Sequence, residues 1–211
     1  MDLAEQFTQA AGAGDSGGVQ RLLQEGVPVD VTHAHRSALD LAVVGNRPAV
    51  VRLLLDAGAD PDQPVGEYSE SLPLRYAATR GMGEVVRLLL AAGARPDGRL
   101  DEQQSTPLSA AAAQGHVDIV KMLLDCGASV EGFGHPSSDP LGSAAWSGEL
   151  DVVQLLLARG AVATALTLES IRHGQLTAET LASQGHLTPE QLAEQNTRYE
   201  AVVALLENSM A

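Results

Sequence analysis

The 211-residue sequence is poor in the residues that characterise disulfide-linked, aromatic-rich or strongly basic proteins. Its single cysteine, Cys126, excludes a disulfide within the chain and gives no sign of an oxidising compartment. Aromatic residues make up only 3% of the chain, and lysine occurs once, at Lys121. The core must therefore be built from alanine, leucine and valine, which favours packed short helices over a β-sandwich.

Several functional signals are also missing. No apolar run approaches the roughly 20 residues of a membrane-spanning helix, and the first residues, Met1 to Glu5, lack the basic and apolar regions of a secretion signal. The 21 glycines form neither a dinucleotide-binding fingerprint nor a phosphate-binding loop with its lysine. We therefore predict a cytoplasmic, monomeric protein without a cofactor.

Negative charge is abundant and unevenly distributed. The net charge is −14, with 13 acidic and 9 basic residues up to position 99 and 14 acidic and 4 basic residues beyond it. Such a chain repels phosphate backbones and anionic lipids. The charge argues against nucleic acid and membrane as partners and favours a protein partner with a basic surface.

A sequence block recurs with a period of about 33 residues. Pairs of leucines are followed three or four residues later by glycine, and these glycines stand at 26, 58, 93, 127 and 160. A second landmark keeps the same period: Ser37-Ala38-Leu39, Leu72-Pro73-Leu74, Thr106-Pro107-Leu108 and Asp139-Pro140-Leu141. A period of this length is typical of stacked repeats, whose units bury their apolar faces only against each other.

Each unit reads as two short helices. Proline is tolerated in the first turn, so Pro73, Pro107 and Pro140 are predicted to begin the first helix. Small residues keep this helix thin, and Gly81, Gly115 and Gly148 are predicted to end it, with Asn46 in the equivalent place. A second helix follows with apolar residues at i, i+3 and i+4.

These motifs resemble the ankyrin repeat, whose signature is T-P-L-H-x-A. The resemblance covers residues 10–163 and implies an all-α ankyrin-repeat solenoid of helix-turn-helix units with short hairpin loops, four central repeats and two caps. The motif histidine is replaced by Asp40, Arg75, Ser109 and Gly142, which leaves the local turn geometry open. Within a single domain, 1–211, we expect an N-terminal cap at 1–30, repeats at 31–62, 63–97, 98–131 and 132–163, and a helical insert with a capping repeat at 164–211. The insert is 164–186, and Thr188-Pro189 is expected to begin the capping repeat.

The resemblance also implies a binding surface, because ankyrin repeats bind proteins through a concave face made of hairpin tips and the exposed side of the first helix. The residues after each alanine pair project there. We therefore predict a partner-binding site formed by Thr79, Arg80, Gln114, Trp146, Tyr68 and Phe133, the last two on hairpins. Trp146 either binds the partner or packs against the insert. Tyr68 either binds a cationic side chain of the partner or lies on a solvated loop. Tyr76 is expected to pack between repeats.

Catalytic and metal-binding signals are weak. His33 and His35 form a pair without further ligands, so no metal site is predicted. The favoured function is non-catalytic recognition of a protein or peptide. A more specific hypothesis is an inhibitor or immunity-type protein that masks a basic, nuclease-like partner. The alternative is a small enzyme or accessory subunit whose site uses Glu169, His173 and Glu179 in the insert.

Overall fold

Short helices in consecutive pairs dominate the computed structural model, which describes residues 2–63, 72–98, 105–133 and 139–210. The chain divides into two units, Met1–Arg99 and Leu100–Ala211. Strand structure in the described residues is limited to one hairpin, with a left-handed turn at Ala34 and His35.

In its described residues, the first unit contains three helix pairs and the hairpin. Its elements are α1 (Leu3–Ala13), α2 (Ser16–Gln24), β1 (Thr32–His33), β2 (Arg36–Ser37), α3 (Ala38–Val44), α4 (Pro48–Asp56), α5 (Pro73–Thr79) and α6 (Gly83–Ala91). The first helices of the pairs stack in the order α1, α3, α5, and the second helices in the order α2, α4, α6.

The second unit repeats this arrangement with six helices: α7 (Pro107–Ala113), α8 (Val117–Asp125), α9 (Pro140–Ser147), α10 (Leu150–Ala158), α11 (Ala165–Ser183) and α12 (Pro189–Met210). Here α7, α9 and α11 stack in one row, and α8, α10 and α12 stack in the other. The terminal pair therefore continues both rows, but its helices have 19 and 22 residues where α9 and α10 have 8 and 9.

The terminal pair differs from the expected insert followed by a two-helix capping repeat. Residues 189–210 form one helix, because no glycine or second proline interrupts them. The expected insert is itself the first helix of the terminal pair, and it packs on α9. Between α11 and α12 the chain reverses direction at Gly185, which has a φ of 77°.

The predicted helix boundaries are confirmed in the central repeats. Pro73, Pro107 and Pro140 are the first residues of α5, α7 and α9. Asn46 has a φ of 50°, the left-handed conformation expected there. At the end of the second helices, Gly93 shows why glycine recurs: its φ is 90° and no atom lies within 4 Å of an added Cβ, so backbone conformation alone selects glycine.

Different residues replace the motif histidine in different ways. Asp40 is buried, and its carboxylate accepts hydrogen bonds from the Arg36 guanidinium at 2.6 and 2.9 Å. Its backbone N–H donates to the hydroxyl oxygen of Ser37, the N-cap of α3, at 3.1 Å. The buried Ser109 hydroxyl donates to the Thr106 carbonyl at 3.1 Å. The turns at Asp40 and Ser109 are therefore held by local hydrogen bonds without histidine.

The core is mostly aliphatic, as the low aromatic content predicts. Each second helix of the central repeats buries two adjacent β-branched residues and a leucine three residues after the second of them: Val50, Val51 and Leu54; Val85, Val86 and Leu89; Ile119, Val120 and Leu123; Val152, Val153 and Leu156. No helix in the described ranges is both long and apolar enough to cross a membrane.

Candidate functional site

The structure distributes the predicted binding residues over both units. Thr79 and Arg80 lie in the first unit, and Gln114, Phe133 and Trp146 lie in the second. Gln114 is exposed, and Phe133 and Trp146 are 48% and 45% exposed. Tyr68 lies outside the described residues. The predicted exposure of these aromatic side chains is thus observed for Phe133 and Trp146, while their role in binding stays a prediction.

In the first unit, the two predicted residues form local interactions. Thr79 donates its hydroxyl to the Arg75 carbonyl one turn earlier, at 2.8 Å. The Arg80 guanidinium lies 5.5 Å from the centre of the Tyr76 ring, a cation–π distance. Tyr76, expected to pack between repeats, is only half-buried, and its ring lies against the Arg80 guanidinium.

In the second unit, Trp146 forms part of a surface groove. We call it the Trp146 groove; it has a volume of about 600 Å³ and is lined by Trp146 and by six residues of α11: Ser170, His173, Leu176, Thr177, Thr180 and Leu181. The two leucines are 59% and 38% exposed. Three large apolar side chains thus meet around one open groove.

The backbone of Trp146 is anchored by the terminal helix pair. The buried Tyr199 donates its hydroxyl to the Trp146 carbonyl at 3.0 Å, and Gln195 donates its amide to the Ser147 carbonyl at 3.1 Å. These two carbonyls belong to the last turn of α9, whose carbonyls lack helical partners. Gly174 of α11 lets the helices approach, because a Cβ there would overlap the Trp146 carbonyl oxygen.

The groove wall extends beyond the end of α9. Gly174 lies against the end of α9, so residues 175–183 of α11 project past it, and Ala178 alone among them is buried. Leu176, Thr177, Thr180 and Leu181 belong to this projecting part. These four residues were not among the predicted binding residues, although the apolar spacing of Leu176 and Leu181 within the expected insert indicated a helix with an apolar face.

The three hydroxyl groups of the groove wall, and one ring nitrogen of its histidine, form hydrogen bonds within their own helix. Ser170, Thr177 and Thr180 donate to carbonyls four residues earlier, those of Leu166, His173 and Leu176, at 2.7 to 3.1 Å. The Nδ1 atom of His173 lies 3.0 Å from the Glu169 carbonyl. The wall therefore presents mainly hydrocarbon and methyl groups to an occupant.

The enzyme alternative receives little support from this arrangement. His173 lines the groove, whereas Glu169 and Glu179 do not line it. Glu179 is six residues from His173, which places the two on different faces of α11. Across the described part of the chain, no three histidine, cysteine or carboxylate side chains are grouped as metal ligands.

A half-buried carboxylate lies between consecutive repeats of the second unit. Glu149 precedes α10, and a Cβ on Gly115 would overlap its carboxylate. Burial raises the pKa of Glu149 above its ordinary value of 4.5; the charges of Arg198 and His116 oppose this shift, and that of Asp151 adds to it. The folded protein therefore disfavours the ionised form of Glu149.

We expect Glu149→Gln to be more stable than the parent protein at neutral pH. Because the pKa of Glu149 is raised in the folded protein, the stability lost by ionising it is complete above that pKa. The loss disappears as the pH falls through the folded pKa towards 4.5, the ordinary value. Denaturant unfolding across this range measures the difference. The exposed Glu200→Gln is the control, and a stability gain for Glu149→Gln that is independent of pH would contradict this origin.

Family models identify the repeats directly. A model of ankyrin repeats in three copies matches residues 74–167, and a single ankyrin-repeat model matches residues 35–64. No curated protein matches the chain. Proteins of this kind generally act as protein–protein interaction modules and are typically non-catalytic. Matches over more than half of the chain, together with the stacked helix pairs, confirm the all-α ankyrin-repeat fold, and the chain belongs to the ankyrin-repeat family.

Proposed function

We propose that this chain recognises a protein partner with a basic surface, and that the Trp146 groove in its second unit is the main contact. The observation that carries the proposal is the position of Trp146. The only tryptophan of the chain is 45% exposed although its backbone is anchored by Tyr199. Tryptophan dominates binding hot spots because it buries a large apolar surface at a small entropic cost.

Charge supports the choice of a basic partner. The second unit has 14 acidic and 4 basic residues, and two of those bases, Arg159 and Arg198, are already paired with Asp125 and Glu194. The unit therefore keeps a strong negative field that steers a basic protein towards it and repels nucleic acid. We include in the proposal that the chain is monomeric and cytoplasmic, and that it masks the partner's active surface as an inhibitor or immunity-type protein.

Affinity for the captured partner should fall with salt. We expect it to decrease about tenfold when NaCl is raised from about 0.1 M to about 1 M, because the Debye length shortens from about 10 Å to about 3 Å. Capture from the source lysate followed by calorimetry at both concentrations measures this. Equal affinity at the two concentrations would contradict a charge-steered complex, and full activity of the partner in the complex would contradict inhibition.

A further inference from the structure

The Trp146 groove has the features of a site for a helix. We propose that it binds a basic amphipathic helix of the partner, an inference that rests on the proposed function and deepens it. Trp146, Leu176 and Leu181 supply three exposed apolar side chains around one concavity. Covering them removes apolar surface from water, and clusters of this kind on a monomer mark interaction sites.

Hydrogen bonding selects a helix over an extended strand. An extended peptide carries backbone N–H and C=O groups that need partners when they are buried. The groove wall is helical and offers no strand edge, since α11 uses its backbone groups within the helix and its Ser170, Thr177 and Thr180 hydroxyls donate there. A helix satisfies its own backbone, so it can enter this groove without leaving polar groups unpaired.

The length of the wall sets the length of the occupant. From Ser170 to Leu181 the wall covers eleven helical steps, or about 17 Å at 1.5 Å per residue. A partner helix of about three turns matches this length, with apolar residues at i, i+3 or i+4, and i+7 facing the groove.

Charge complementarity selects a basic occupant. The second unit carries a net charge of −10, and the exposed carboxylates of α11, Glu169 and Glu179, outnumber its one arginine, Arg172. Lysine and arginine on the outer face of the bound helix would meet this field, whereas an acidic helix of the same shape would be repelled.

The test uses three synthetic, tryptophan-free peptides of about fifteen residues, a length at which a helix can form. The first has leucines on one helical face and lysine or arginine on the other. The second replaces the basic residues with glutamate, and the third scrambles the first so that no apolar face remains. Because Trp146 is the only tryptophan, its fluorescence reports directly on occupation of the groove.

We expect the basic amphipathic peptide alone to shift the Trp146 emission to shorter wavelength with a saturating curve. The double variant Leu176→Gln and Leu181→Gln should weaken this binding by about tenfold or more. Leu166→Gln is the matched control, because Leu166 is 69% exposed on the same helix and does not line the groove. All three side chains are exposed, so the variants should fold alike.

Each contrary result overturns a defined part of the inference. Equal binding of the acidic peptide would contradict selection by charge, and equal binding of the scrambled peptide would contradict recognition of an amphipathic helix. Unchanged peptide binding by the double variant would contradict the groove as the binding site. No shift with any peptide overturns the site as a whole. If the captured partner loses affinity on the double variant and its affinity falls with salt, while the acidic or scrambled peptide binds as well as the basic amphipathic one, the basic-helix inference fails and the proposed function stands.

Discussion

Gly174→Ala should lower the free energy of unfolding by about 2 kcal/mol or more, although alanine is the better helix former by about 1 kcal/mol. A methyl group at this position would overlap the Trp146 carbonyl oxygen and lie 2.8 Å from the Tyr199 hydroxyl. Both atoms belong to a hydrogen bond that anchors the end of α9. The second unit can relieve the overlap only by separating α11 from α9, and chemical denaturation measures the cost.

Gly17→Ala is the matched control for this effect. Gly17 also lies in a helix, but the nearest atom to its added Cβ is an Asp15 carboxylate oxygen at 3.6 Å. Its stability should stay unchanged or increase by up to about 1 kcal/mol. If Gly174→Ala is as stable as Gly17→Ala, the close approach of α11 to α9 does not hold the terminal pair in place.

The central repeats were predictable because their signals are local. Pro73, Pro107 and Pro140 can begin a helix but cannot continue one, so each marks a boundary regardless of tertiary context. The glycines that end the second helices act through φ alone, as at Gly93. Because these local signals recur in four repeats, the period and the stacked fold could be predicted from the sequence.

The terminal pair was harder to predict, because its signals are ambiguous. Thr188-Pro189 indicates the start of a helix but not which helix of a pair, and Pro48 shows that proline also begins second helices. The deciding signal lay further along α12, where Val202 and Leu206 are buried as Val152 and Leu156 are in α10. That spacing matches α12 to a second helix, with Glu200 in the place of Leu150, and makes 189–199 its N-terminal extension.

The groove was only half visible in the sequence. Trp146 stood out because the equivalent residues Val44, Thr79 and Ala113 are smaller, so the repeat itself does not require an indole. Leu176 and Leu181 have no counterpart in the central repeats, and leucines at helical spacing are usually core residues. Only the length of α11, which carries them past the end of α9, exposes them beside Trp146.

Trp146→Ala should separate binding from folding more clearly than any other substitution. We expect the partner to bind at least about 2 kcal/mol more weakly, close to thirtyfold in Kd, because the indole is the largest apolar side chain that lines the groove. Folding should be affected far less than the about 3–5 kcal/mol lost when a buried tryptophan is truncated. The side chain is already 45% exposed, and the anchoring hydrogen bond uses the backbone carbonyl, which alanine retains.

Leu3→Ala provides the control for loss of an exposed apolar side chain, since Leu3 is 51% exposed, belongs to the first unit and does not line the groove. Calorimetry with the captured partner and denaturant unfolding should be measured on both variants. Leu3→Ala should leave affinity unchanged, so that a loss confined to Trp146→Ala assigns the effect to the groove. The opposite outcome is a large loss of stability in Trp146→Ala with unchanged affinity per folded molecule. It would make the indole a packing residue between α9 and α11, because the cavity left by its removal would then account for the whole effect.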